Sequence, residues 1–375
     1  MKNIAIAADN PELYSQTFVR RHINELFSGR TVVVLTKNRT LSNIRKPIFI
    51  YAKPKGFFNK IKKIVSNLSI FIKNKPSLED QFAEFLIANK VNFLIAEFGY
   101  VGLKVYNSIS HLNIPMYCYF RGSDASQRLN DKKYIKNLQS MMPKISGIVA
   151  VSQSLINNLK QNGIHHPVTH VIPSGVDTHQ FQPSIKDDSL LVAVGRFVEK
   201  KAPDITIKAF AATIKKFPNA RLEMIGDGPM LPYCKTLAQE LGIAASIIFH
   251  GSKEHAFVKN TLAKSSIFLQ HSITAPNGDI EGLPTAIQEA MASGAVVIST
   301  NHSGIPEHII NNFNGLTVEE GDLSNYIEAI NKVFEDADFR NTLAINARNY
   351  AEKHLDYRVN YEKLEQLITN EINKA

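Results

Sequence analysis

Residues 266–300 read SIFLQHSITAPNGDIEGLPTAIQEAMASGAVVIST: an apolar run, a loop, an amphipathic stretch and a second apolar run. The runs SIFLQHS (266–272) and AVVIST (295–300) have the length and uncharged character of buried strands. Between them Pro284 suits a first helical position and Gly294 a helix stop, so TAIQEAMAS is expected to be helical. The start of such a helix offers unpaired N–H groups and the positive end of a dipole, a setting that favours an anion. Glu281 precedes the helix and Glu289 falls in its second turn, seven residues lying between them. Ionised carboxylates only accept hydrogen bonds, which matches vicinal hydroxyls that donate them. Taken alone, Glu281 would serve as an N-terminal helix charge and Glu289 as part of a solvated face.

The same alternation extends outward in both directions. Short apolar runs at 4–8, 32–36, 93–98, 115–120 and 147–152 form one series, and runs at 190–195, 221–226, 246–251, 266–272 and 295–300 form a second. Helical patterns separate most of them. Buried strands alternating with helices call for parallel sheets covered on both faces, here two doubly wound α/β units. IPSGVDTHQFQP (172–183) stands between the series and reads as a linker. The expected division is therefore 1–175, 176–350 and a last helical segment, 351–375, that returns to the first domain. Ligands of such sheets bind beyond the carboxyl ends of the strands, which places a cleft between the two domains.

A second cationic turn belongs to the later half. VAVGRFVEKKAPD runs from a strand through Gly195 and Arg196 to Lys200, Lys201 and Pro203, where a helix is expected to start. Arg supplies a bidentate fork for phosphate oxygens and Lys a mobile point charge, so the turn is suited to a diphosphate leaving group. A solvated basic loop is the plain alternative.

Together GRFVEKKAPD, EGLPTAIQEAMASGAVVIST and HSGIPEHI resemble the donor-binding half of the family 4 glycosyltransferases, retaining enzymes of the GT-B fold. SQTFVRRHINEL (15–26), VSQSLINNLKQNG, IPSGVDTHQF, GDGP (226–229) and GDLSNYIEAI (321–330) extend the resemblance over nearly the whole chain. Its details are most similar to bacterial enzymes of colanic-acid, capsule and lipopolysaccharide assembly. The resemblance implies two Rossmann-like domains facing a cleft, and a nucleoside diphosphate sugar as donor. It implies that Arg196 and Lys201 hold the diphosphate, that Glu289 accepts ribose hydroxyls and that Glu281 accepts hydroxyls of the transferred sugar. Gly226 and the run Gly282, Leu283, Pro284 and Thr285 complete the donor set, the run by presenting backbone amides. It further implies front-face retention, in which the departing phosphate takes the acceptor proton, with no cofactor and no metal. An epimerase of the same fold is the nearest alternative enzyme, and the paired Glu281 and Glu289 after the Arg196 loop count against it.

One stretch departs from the family. Where a His-Gly-x-Asp sequence is common, this chain reads FRGSDAS, with Arg121, Gly122 and Asp124. Arg keeps its proton, so Arg121 is expected to contact an anion of the acceptor rather than act as a base. Asp124 is expected either to accept a bond from the acceptor hydroxyl or to cap a helix.

Charge is divided unevenly. Residues 1–180 hold 24 Lys/Arg against 10 Asp/Glu, +14, and residues 181–375 hold 19 against 24, −5. Seven lysines and no acid lie in KPKGFFNKIKKIVSNLSIFIKNK (53–75), interleaved with apolar residues at mostly helical spacing. Such a segment reads either as a helix lying on an anionic membrane or as an ordinary domain helix with a solvated basic face. The first reading brings the enzyme to a lipid-linked glycan acceptor from the cytoplasmic side. A basic nucleic-acid-binding protein is disfavoured, since no helix-turn-helix, zinc-finger or aromatic RNA-binding signature accompanies the pI of 9.3. Cys118 and Cys234 fall in different halves and are expected to be reduced and inert, and the scattered histidines lack zinc spacing. The start, MKNIAIAAD, is too short an apolar run for a secretory signal or a span.

Overall fold

A computed structural model of the chain describes residues 2–12, 17–39, 41, 44–52 and 76–374. The basic segment 53–75 and positions 15 and 16 of the SQTF stretch lie outside them. Two parallel sheets organise the rest. The first contains β1 (Asn3–Ala8), β2 (Thr31–Leu35), β3 (Ile48–Ile50), β4 (Val91–Glu97), β5 (Met116–Phe120), β6 (Gly147–Ala150) and β7 (Thr169–Val171). The second contains β8 (Asp187–Val194), β9 (Arg221–Ile225), β10 (Ile247–Gly251), β11 (Ser265–Leu269), β12 (Val296–Thr300) and β13 (Leu316–Val318).

Strand order is β3-β2-β1-β4-β5-β6-β7 in the first sheet and β10-β9-β8-β11-β12-β13 in the second. Each is the doubly wound order, with the direction of winding reversing between β1 and β4 and between β8 and β11. Central strands such as IAIAA, VVVL and VVIS are buried on both faces, which is why they read as unbroken apolar runs. Three short edge strands, β3, β7 and β13, were not expected. Each is three residues long, too short for a period to show, and β3 is partly exposed.

The chain crosses between the domains twice, and the crossings lie side by side. Val176 N–H donates to Leu355 O at 2.8 Å and Tyr357 N–H to Val176 O at 3.0 Å, a single parallel bridge. Arg358 adds ion pairs of 2.7 Å to Asp177 and to Asp356. The helix Ala337–Tyr350 passes through one π turn, Ala351–Leu355, and stops at the extended Asp356, whose side chain caps the next helix, Tyr357–Ile372. The expected single helical segment is therefore broken where it changes domain. Tyr361, Leu364 and Ile368 of the final helix are buried in the core of the first domain, and Glu365 accepts the Phe27 N–H at 2.6 Å. No helix among the described residues is long and apolar enough to cross a membrane.

Candidate active site

In the second sheet the winding reversal falls between β8 and β11, so the loops that follow these two strands flank one crevice. Gly195 and Arg196 leave β8, and a 3₁₀ turn, Glu199–Lys201, leads into the helix Pro203–Lys216. Loop 270–284 leaves β11. A crevice of about 30 Å³ is lined by Gly195, Arg196, Lys201, Thr206 and Gln270, among others. The Arg196 side chain is exposed and has no partner among the described residues. Lys201 is half-buried and lies over Gly195, where an added Cβ would meet its Cε at 3.4 Å.

Glycine is required where the neighbouring loops touch. Gly226 has φ +143° and sits so close to the β8 turn that a Cβ would lie 1.9 Å from Gly195 O. The contact is tied by Gly195 N–H to Ile225 O and by Phe197 N–H to Asp227 O, both 2.9 Å. Gly226 thus shapes the turn that aims Arg196.

Glu281 faces the same lysines. It is 9% exposed, and its Oε1 lies 3.2 Å from Lys201 Nζ and 3.7 Å from Lys200 Nζ. Burial by itself would raise the carboxyl, but the charges of Lys201 and then Lys200 outweigh it and hold the group down at about 2. Burial lowers Lys201 in turn, against the pull of Glu281. Oε1 is thus held by charge, its contact with Lys201 lacking the angle of a good hydrogen bond. The Glu281 backbone is fixed separately: its N–H donates to His302 Nε2 at 3.0 Å, and His302 Nδ1 is 2.5 Å from Glu320 Oε1. Lys200 is anchored by Asp279 and Ile280 O, each at 3.1 Å.

The helix expected after Glu281 is Thr285–Ala292, with Pro284 at its cap rather than in its first turn. Pro284 has no N–H, so the amides offered at this terminus come from its neighbours and not from Pro284 itself. No side chain caps the helix. Glu289 is half-buried on it, and its Oε1 lies 3.2 Å from His255 Nε2. The structure therefore brings Arg196, Lys201, Gly226 and Glu281 together, while Glu289 stands beside His255.

The FRGSDAS stretch turns inward instead. Arg121 Nε donates to Glu97 Oε2 at 2.8 Å, its terminal nitrogens reach Glu97 at 2.7 Å and Ser174 Oγ at 2.8 Å, and its carbon lies 4.0 and 3.7 Å from the ring centres of Phe18 and Tyr119. Burial would raise Glu97, but Arg121 and then His22, 2.5 Å away on the other oxygen, hold it at about 2. The guanidinium is thus paired with a buried carboxylate, a structural role beside the acceptor contact expected of Arg121. Asp124 is fully buried and accepts the N–H groups of Gly99, Arg121 and Gly122 at 2.9–3.0 Å. Asp124 is not itself an N-cap, Phe98 holding that place before Gly99–Ser110, but it takes up the N–H of Gly99 that opens this helix. Asp279, His302 and His255 are the site residues that spacing did not single out, whereas Lys200 already belonged to the cationic turn.

Residues 176–350 match the family model described as Glycosyl transferases group 1. The chain is a glycosyltransferase whose second domain matches this family. The amylovoran biosynthesis glycosyltransferase AmsK of Erwinia amylovora is 26% identical over 292 residues, 75% of this chain and 72% of the relative. The colanic acid biosynthesis glycosyltransferase WcaL of Salmonella typhimurium, itself described as putative, is 31% identical over 61% of this chain and 58% of the relative. In fold, the transferase superposes on HepE from Anabaena, solved in complex with UDP and glucose, with a TM-score of 0.79 and 17% identity, over 99% of this chain and all of HepE. The two-domain GT-B architecture expected from the sequence is the one found.

Proposed function

We propose that the transferase moves a sugar from a nucleoside diphosphate sugar to a glycan acceptor of a bacterial surface polysaccharide, retaining the anomeric configuration and using no metal. The observation that carries this reading is the Glu281 carboxylate, buried, ionised and paired with Lys201, which itself lines the crevice that Arg196 borders. A diphosphate supplies the anion that Arg196 and Lys201 suit, and sugar hydroxyls supply donors that suit the Glu281 carboxylate. The names of AmsK and WcaL support a polysaccharide product, and the UDP and glucose bound to HepE support the donor class.

The chemistry follows from these groups. As the bond from C1 to the diphosphate oxygen breaks, negative charge grows on the phosphate, and Arg196 and Lys201 lower its energy. The acceptor hydroxyl forms its new bond to C1 on the same face and passes its proton to that phosphate oxygen. Glu281 orients the ring through its hydroxyls, and Glu289, placed by His255, accepts the ribose hydroxyls. The acceptor is lipid-linked in this reading, and the basic segment 53–75 draws the enzyme to the anionic membrane that carries it.

A thermal-shift screen of UDP- and GDP-sugars tests the donor reading. A shift in the native chain that is lost in Glu281→Ala and Arg196→Ala supports it, and no shift with any nucleotide sugar sinks it.

A further inference from the structure

We infer that Glu307 is a positioning residue that locks the two domains together and fixes the loop bearing Glu281. Glu307 lies after β12 in the donor domain, yet its carboxylate accepts the N–H of Gln153 at 2.8 Å and of Ser154 at 2.9 Å. These are the first two residues of the helix Gln153–Gln161 in the other domain, where N–H groups have no acceptor within the helix. The helix has its own cap, Ser152, which accepts only from Leu155 at 3.4 Å. A carboxylate from one domain therefore completes the terminus of a helix in the other, and negative charge at that end is favourable.

The same loop grips the donor site. Gly304 N–H donates to Gly282 O at 3.1 Å, and His302 accepts from the Glu281 N–H. Ser303 takes a left-handed φ of +49° with its Oγ 3.2 Å from Ser154 Oγ. At Gly304 a Cβ would lie 2.2 Å from Gly282 O and 2.5 Å from Ser152 Cβ, and at Gly282 it would lie 2.5 Å from Arg121 O. Backbone from both domains thus meets with no space for a methyl group. The other hydrogen bonds described between residues 2–171 and 187–336, such as Asn130 to Asn277 O and Ile280 N–H to Ser126, come from neutral side chains. Away from the crossings, where Arg358 pairs with Asp177, Glu307 is the charged tie between residues 2–171 and 187–336 among the described residues, and through Gly304 and His302 it sets where Glu281 stands relative to the acceptor domain.

Two variants test this from opposite sides. Glu307→Gln keeps the shape and removes the charge. Gln153→Pro removes one of the two N–H donors at a position that suits proline, and Ser152 already has the extended backbone that a following proline requires, φ −153° and ψ 156°. Amide exchange in the peptide around Ser154 of the ligand-free chain should quicken about tenfold in Glu307→Gln. Turnover, read as nucleoside diphosphate release from the nucleotide sugar selected by thermal shift, should fall about tenfold in both variants. Calorimetric affinity for UDP or GDP should stay within about twofold, because Glu307 does not touch the crevice lined by Arg196 and Lys201. The double variant should be no slower than the slower single one.

Unchanged exchange at Ser154 overturns the tie. Faster exchange with unchanged turnover overturns the positioning role, and so does a turnover loss accompanied by an equal loss of nucleotide affinity. The turnover arm rests on the transferase reading; if the native chain binds no nucleotide, that reading falls while the exchange arm still decides the tie.

Discussion

Replacing Arg121 with Met separates a structural pair from an acceptor contact. The change keeps much of the side-chain volume between Phe18 and Tyr119 and removes the charge that faces Glu97. Glu97 is fully buried, and Arg121 and then His22 hold its carboxyl at about 2 against the burial that would raise it. Removing one partner of such a pair costs about 3–5 kcal/mol, because the remaining charge stays buried. The bond to Ser174, at the start of the linker, is lost as well. For a domain of this size 1 kcal/mol moves Tm by roughly 2–4 °C, so Tm at pH 7 should fall by about 6–20 °C.

The pH dependence carries a sign. In the native chain the folded pKa of Glu97 lies below its unfolded value, so its contribution is present above about 4.5 and is lost as pH falls toward 2. Without Arg121, burial is left to dominate and raises Glu97 instead. The penalty then exists at neutral pH and fades as the carboxyl takes a proton. Denaturation of both chains at pH 7 and pH 4 should show the gap between them narrowing at the lower pH. A variant within about 1 kcal/mol of the native chain at both values, yet unable to use its acceptor, would refute the buried-pair reading and return Arg121 to the acceptor site.

Three further outcomes are expected. Glu281→Gln keeps the shape of the loop but leaves Lys201 without its carboxylate, and nucleoside diphosphate release should fall about 100-fold or more, whereas a loss below threefold would count against a role in the transition state. Gly226→Ala places a methyl 1.9 Å from Gly195 O at φ +143°, so the turn must move, with a stability loss of about 2 kcal/mol or more and loss of nucleotide binding by calorimetry; retention of both would contradict the described contact. Changing Lys60, Lys62 and Lys63 to Glu should abolish co-sedimentation with phosphatidylglycerol vesicles, and undiminished binding would remove the membrane from the proposal.

The alternation of apolar runs and helical stretches was enough to place the central strands and both doubly wound domains, because a strand buried on both faces must be apolar throughout. Edge strands β3, β7 and β13 carry too few residues for any such pattern. The donor loops were legible for a similar local reason: Arg196 and Lys201 share one turn, and Glu281, Pro284 and Glu289 share one loop and helix. Contacts between distant parts were not. Arg121 meets Glu97 across 24 positions, His22 meets Glu97 across 75, and Glu307 reaches Gln153 across 154, separations fixed by strand order and domain packing. An arginine in sequence is a charge that seeks an anion; whether that anion is a substrate or a buried glutamate is decided by which strand ends the fold sets side by side.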